Sequence, residues 1–247
     1  WWRKFITDAA GIFVITGIGN EEEFVYITAP GFEPQYIRRS VLDTEDGRPA
    51  RIVLAAGRIF GRIVDEQGRP RANAVIHLGR DRDIDEVPFI ASLSREAQVD
   101  TNGWYELPDL PSGHFWVDVR FKSGDGFGPD SALKKVRLAP GQTLQVNFGD
   151  ETGFVLTGTV RKGATPEKGA TVEVTTPEGN QKSTHADEAG AFRLTGIPAG
   201  QVRLKVFCHE TDAEHRTWTR VKEDRTIQVQ GNMEVDIDLG GVSTSGP

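Results

Sequence analysis

Apolar and polar residues alternate along most of this chain. Phe115, Val117, Val119 and Phe121 form one such run, Val202, Leu204 and Val206 a second, and Ala74, Ile76 and Leu78 a third. Alternation returns in the closing segments Leu138–Phe148 and Val229–Leu239. A period of two, bounded by Gly, Pro, Asn and Asp, predicts half-buried antiparallel strands. No stretch sustains a 3.6-residue apolar period with helix caps. The pattern predicts an all-β protein, with about seven short strands per unit, as in a β-sandwich.

One phrase recurs within this pattern. It reads TDAAGIFVITGI at Thr7–Ile18, VDTNGWYELPDLPSG at Val99–Gly113 and ADEAGAFRLTGIPAG at Ala186–Gly200. Its common frame is Asp8/Gly11/Phe13/Ile15, Asp100/Gly103/Tyr105/Leu107 and Asp187/Gly190/Phe192/Leu194, with the aspartates 92 and 87 residues apart. That spacing exceeds the roughly 20–50-residue period of a solenoid and matches a small sandwich. The flanks repeat too: GRIFGRIVDEQGRPRANAVIHL precedes the second copy and GFVLTGTVRKGATPEKGATVEV the third. In each the aromatic and the aliphatic two residues on are expected to point into a core.

The order of these motifs resembles the carboxypeptidase regulatory-like domain: a Gly-led strand, a Gly/Pro turn, an Ala-led strand, the Asp-x-x-Gly phrase, Pro-x-Gly, then two alternating strands. The resemblance implies tandem antiparallel β-sandwiches of transthyretin-like, immunoglobulin-like form, related to the Cna-B-type repeats of bacterial surface proteins. Complete units are expected at 58–150 and 151–240, joined by short linkers at Ala55–Ile59 and Gly149–Thr152 and each able to fold alone. Residues 1–57 read as the C-terminal part of a truncated sandwich, and 241–247 as a flexible tail. Opening on Trp1 with Met233 as its sole methionine, the chain is read as a fragment of a longer protein.

Charge and cysteine content narrow the possibilities. A net charge of −7 disfavours nucleic acid, which wants a basic face. No apolar run is long enough to span a bilayer, so no membrane insertion by this segment is expected. The lone Cys208 leaves no intrachain disulfide and falls in phase with Val202, Leu204 and Val206, as a core residue would.

Catalytic chemistry is sparse. The five histidines, at 77, 114, 185, 209 and 215, stand beside no motif that would activate a serine or cysteine. Enzymes of transthyretin-like fold use a Tyr-Arg-Gly-Ser tail, or two tyrosines and two histidines around iron, and neither set is assembled here. The isopeptide crosslink of Cna-B-like repeats is not expected either. Arg62 stands opposite Asn147 in one unit, and Lys162 is matched by Asp236 and Asp238 in the other. The chain is expected not to be an enzyme and to need no cofactor.

Two acidic clusters are weak metal candidates. Asp81, Asp83 and Asp85 alternate like the start of a calcium loop, but the required glycine and closing glutamate are missing and Arg80 and Arg82 intervene. The segment His209–His215 is read as a solvated loop, as is Asp81–Glu86. The best ligand hint is aromatic: Trp116 and Asp118 take the outward phase of their strand, and on the neighbouring strand Val75 and His77 do the same. Trp116, His77 and Asp118 are therefore the candidate ligand-binding residues, either a sugar platform or an interdomain contact. Trp104 faces outward on the opposite sheet.

The leading functional reading is a non-enzymatic structural or accessory array within a larger extracytoplasmic bacterial protein (periplasmic, cell-surface or secreted), acting as spacer or interaction module. Its expected partners are other domains of the same chain, glycans or surface proteins. The alternative is a carbohydrate-binding module.

Overall fold

A computed structural model describes residues 6–14, 24–30, 32–38, 42, 50–85, 93–123, 126–211 and 217–240. Strands β1 (Phe24–Ala29) and β2 (Phe32–Arg38) form an antiparallel hairpin. The next unit holds β3 (Gly57–Arg62), β4 (Ala74–Arg80), a helical turn α1 (Arg82–Asp85), β5 (Ser94–Gln98), β6 (Trp104–Leu110), β7 (Gly113–Ser123), β8 (Gly126–Leu138) and β9 (Thr143–Gln145). The last holds β10 (Phe154–Lys162), β11 (Thr165–Pro166), β12 (Thr171–Thr175), β13 (Gln181–His185), β14 (Ala191–Ile197), β15 (Gly200–Thr211), β16 (Thr217–Val229), β17 (Met233–Glu234) and β18 (Ile237–Asp238).

Each of the two later units is a sandwich, and the alternation explains its two layers. In the first, the sheet β6-β3-β9 faces the strands β5-β4-β7-β8. Ile59, Ile76, Leu78, Tyr105, Leu107, Phe115, Val117 and Phe148 fill the space between. In the second, β10 pairs with β14, β11, β17 and β18, opposite β13-β12-β15-β16. Its core is Leu156, Val160, Val172, Val174, Phe192, Leu194, Leu204 and Val206, with Cys208 buried among them. Burying each such side chain stabilises by about 1.5–3 kcal/mol. The closing strands are the exception to antiparallel order: β9 runs parallel to β3, and β17 and β18 run parallel to β10.

The thrice-written phrase is a turn. In every copy the aspartate Oδ1 accepts two backbone N–H groups, from residues two and four ahead: Ala10 and Ile12 on Asp8, Asn102 and Trp104 on Asp100, Ala189 and Ala191 on Asp187. The glycine takes φ of 77°, 81° and 75° in the three copies, a region that favours Gly. Asp65–Gly68 repeats the device, with Asp65 holding the N–H groups of Gln67 and Arg69. Asp100→Ala should therefore cost about 1–2 kcal/mol, the worth of two hydrogen bonds to a charged acceptor at the surface. A chemical-denaturation midpoint unchanged from wild type would contradict that role.

Tyr105 and Phe192 are each 4% exposed, as the phrase predicts for those units. The first copy departs from the expectation. Phe13 is only half-buried and joins neither core, while Ile12 and Val14 are 55% and 72% exposed. Tyr105 and Phe192 owe their burial to a first strand and a closing strand of their own units, and no described element gives Phe13 that cover. Ile15 lies outside the described residues.

The two sandwiches do not sit end to end as separate sheets. Strand β13 pairs antiparallel with β8, Gln181 facing Leu133, Lys182 facing Ala132 and Ser183 facing Ser131. Four strands of each unit thus merge into one eight-stranded sheet, β16-β15-β12-β13-β8-β7-β4-β5.

Candidate functional site

The seam between the sandwiches is built from the short linker and the two strands it brings together. Glu151, on the linker, lies 2.6 Å from Lys134 Nζ of β8 and 3.1 Å from Lys182 Nζ of β13, all three side chains being about a fifth to a quarter exposed. The two ammoniums also donate inward, Lys134 to the Asn147 carbonyl at 2.7 Å and Lys182 to the Thr195 carbonyl at 2.8 Å. Burial alone would raise the Glu151 pKa. Lys182 and Lys134 outweigh it and hold the carboxyl below the usual glutamate range. Around this triad Ser131 and Ser183 hydroxyls meet at 2.9 Å, Thr184 donates to Asp130 at 2.9 Å, and the Lys135 N–H donates to Asn180 Oδ1 at 3.0 Å. Arg193 reaches Glu66 of the preceding unit at 3.2 Å.

The depressed carboxyl gives the seam a pH dependence of known sign. Its stabilisation is fully present above the ordinary glutamate value of about 4.3 and is lost as pH falls through the lower folded value. Thermal midpoints should stay level down to about pH 5 and then drop, more steeply in wild type than in Glu151→Gln. Equal acid sensitivity in both would remove Glu151 from that role.

A polar groove of about 750 Å³ runs over the outer face of the joined sheet and crosses the seam. Asp118, Arg120, Asp130, Gln181, His185 and His209 line it. The His185 and His209 rings lie 6.5 Å apart, and Thr219 Oγ1 is 3.0 Å from His209 Nδ1. Burial, then the neighbouring His209, lowers the His185 pKa against the pull of Asp130. His185 is thus a neutral hydrogen-bonding group at neutral pH. The groove can hold a hydroxyl-rich or mixed-charge ligand by hydrogen bonds on both of its walls.

Trp116 and His77 lie on the outer face beside this groove and Asp118 lines it, the Trp116–Gly79 pair lying two residues along from His77–Asp118. His77 faces Asp118, and Trp116 faces Gly79 on one side and Lys135 on the other. The half-buried indole lies across Gly79, where a Cβ would come within 2.0 Å of the ring. His77 Nδ1 is 3.0 Å from Glu96 Oε1, and Asp118 is buried with Arg120 Nε at 2.7 Å. Val75, on the same face opposite Arg120, is 4% exposed rather than open. Trp104, on the other sheet, is 41% exposed and stacks at 6.4 Å on Phe60.

Two carboxylates of the acidic segment after β4, Asp81 and Asp85, are not solvated as its composition suggests. Asp81 is 5% exposed and lies 2.8 Å from Lys135 Nζ. Asp85 takes His114 Nδ1 at 2.6 Å, the His114 N–H, and Arg80 at 3.1 Å. Asp81 and Asp85 are each matched by a cation or imidazole from a strand, which the linear reading could not foresee. The side chain of Asp83 lies outside the described residues. In the His209–His215 segment, β15 continues through Thr211, so His209 is a strand residue rather than a loop residue. Residues 212–216 lie outside the described set. Among the described residues no three His, Cys, Asp or Glu side chains converge as a metal site would require.

Sequence reasoning missed the seam triad and two glycines. Gly61 and Gly158 lie under the buried aromatics, where a Cβ would come within 1.8 Å of the Val146 carbonyl and 1.9 Å of the Val235 carbonyl. Their repeat in GRIFGRIV and GFVLTGTV was the available signal.

The family model of the carboxypeptidase regulatory-like domain matches twice, over residues 58–149 and 155–240. No curated protein matches the chain. Solved structures with similarity include the Bacillus anthracis TIE protein, at 15% identity over 75% of this chain and 34% of that one, TM-score 0.28. The match thus spans about a third of the Bacillus protein. A Streptococcal ancillary pilin gives 15% identity over 87% of this chain and 74% of its own, TM-score 0.28. A candidate carbohydrate binding protein of Pseudomonas aeruginosa gives 16% over 38% and 87%, TM-score 0.28. With two matched domains covering most of its length, this chain belongs to the carboxypeptidase regulatory-like domain family.

Proposed function

We propose that residues 58–240 act as a stiff, non-enzymatic spacer within a larger extracytoplasmic bacterial protein, holding what lies on either side at a fixed separation and orientation. The observation that carries this reading is the seam. Units joined by a bare linker of a few residues turn freely, whereas these share a sheet and a part-buried Lys-Glu-Lys contact. Orientation is what a spacer contributes, so the chemistry at the seam serves geometry rather than turnover. Small-angle scattering of the full chain should fit one two-sandwich shape for residues 58–240. Scattering that requires an ensemble of bent and straight forms would contradict it. The extracytoplasmic placement rests on the resemblance to surface repeats. It is tested by protease accessibility on intact cells, where protection from added protease would count against it.

The outer groove favours a second reading, a carbohydrate-binding module. Its lining offers carboxylates, a guanidinium and imidazoles to sugar hydroxyls, and Trp116 lies beside it. Because the indole is packed down on Gly79, the spacer reading predicts no saturable change in tryptophan fluorescence on adding oligosaccharides. Saturable quenching that disappears in Trp116→Ala would promote the binding module.

A further inference from the structure

The seam joins two kinds of edge, and the chain carries a further example of each. Strand β5 holds in its unit the place β13 holds in the next: Val75 faces Gln98 as Thr171 faces His185. Strand β16 holds the place of β8. Gly113 faces Leu138 as Gly200 faces Val229, and Val119 faces Ala132 as Val206 faces Glu223. These two strands are the outer edges of the eight-stranded sheet, β5 pairing only with β4 and β16 only with β15 among the described residues.

Carrying the seam's register onto these edges gives a charge test. The pairs Gln181–Leu133 and Lys182–Ala132 become Ser94 opposite Asp224 and Arg95 opposite Glu223, and the next position falls at the bulge of β16, where the register passes from Glu223 to Val221. The faces agree as well. Arg95 pairs with Leu78 and Glu223 with Val206, both on the core side. One opposite-charge pair therefore meets, Arg95 with Glu223, on the core side of the sheet. Charged edges ordinarily discourage strand addition. Here the register sets Arg95 against Glu223, whereas a shift of two residues would set Arg95 against Arg225 and Glu96 against Asp224.

The geometry points to a second copy of this chain as the occupant: β16 of one copy pairs antiparallel with β5 of another, in the register of the internal seam. The contact is heterologous, so it propagates head to tail and extends the sheet from chain to chain. It is weaker than the seam, because Gly240 holds after β17 the position that Glu151 holds after β9, so no carboxylate stands there to bind the two edges. The pairing goes beyond the spacer role and does not depend on it.

Sedimentation velocity of the full chain over rising concentration tests the proposal. Wild type should associate reversibly, and salt should weaken the association. Arg95→Glu and Glu223→Arg should each weaken it roughly tenfold, since each turns an attractive pair into a like-charge pair. An equimolar mixture of the two variants should recover association, because the carboxylate introduced on one chain then meets the guanidinium introduced on the other. Recovery on mixing separates lost pairing from lost folding. A wild type that stays monomeric to about 1 mM, single reversals without effect, or a mixture that fails to recover would each overturn the proposal.

Discussion

Replacing Phe192 by alanine is expected to destabilise the last sandwich by about 3–5 kcal/mol, and Tyr105→Ala should do the same to the one before it. Both rings are 4% exposed and sit between the two sheets of their unit. Each lies over a glycine, Gly158 or Gly61, on a first strand that the closing strand approaches through a carbonyl. One wall of each pocket is backbone that cannot collapse into the vacated volume, which puts the loss in the upper part of that range. Tyr105 has one further role. Its hydroxyl donates to the Val146 carbonyl at 2.6 Å in a buried setting, and burial raises its pKa well above the ordinary tyrosine value. Tyr105→Phe should therefore cost only about 1 kcal/mol. Urea titrations of the three variants check the ordering. A Phe192→Ala loss under about 1 kcal/mol would mean that the phrase does not anchor the core.

Removing the seam carboxylate is the second large effect. Glu151→Ala leaves Lys134 and Lys182 facing each other across the strand junction, each about three-quarters buried. Breaking a fully buried pair costs about 3–5 kcal/mol. The remaining exposure of this triad brings the expected loss to about 2–3 kcal/mol. The loss should be felt in the coupling of the two sandwiches more than in either core, since Glu151 belongs to neither apolar cluster. Calorimetry should show one merged transition in wild type parting into two in the variant. An unchanged single transition would place the coupling elsewhere.

Much of this fold was legible in the sequence, and the limits of that legibility have a physical cause. Alternation at Phe115–Phe121 and Val202–Val206 reports which face of a strand is buried, because burial acts on every second residue. The phrase around Asp100 and Asp187 is equally readable, since a tight turn restricts residue types locally. Pairing between units leaves no such mark. Lys182 and Ala132 meet across the seam without any periodicity announcing it, and Glu151 reads as an ordinary linker glutamate until both lysines are placed beside it. The acidic segment misleads for the same reason. Asp81 and Asp85 look solvated in one dimension, and only the fold supplies Lys135, His114 and Arg80. Among the candidate ligand residues, alternation reveals the face that Trp116, His77 and Asp118 share but not the packing of the indole on Gly79.

One sheet runs through both sandwiches, and an inter-unit distance measures that directly. Spin labels at Thr101 and Glu188, each in an exposed turn of a different unit, allow pulsed electron–electron double resonance to record the separation in the full chain. A single narrow distance distribution, broadened by Glu151→Ala, is the predicted result. A distribution already broad in the wild type, and indifferent to Glu151, would show that the sandwiches move independently and would contradict the shared sheet.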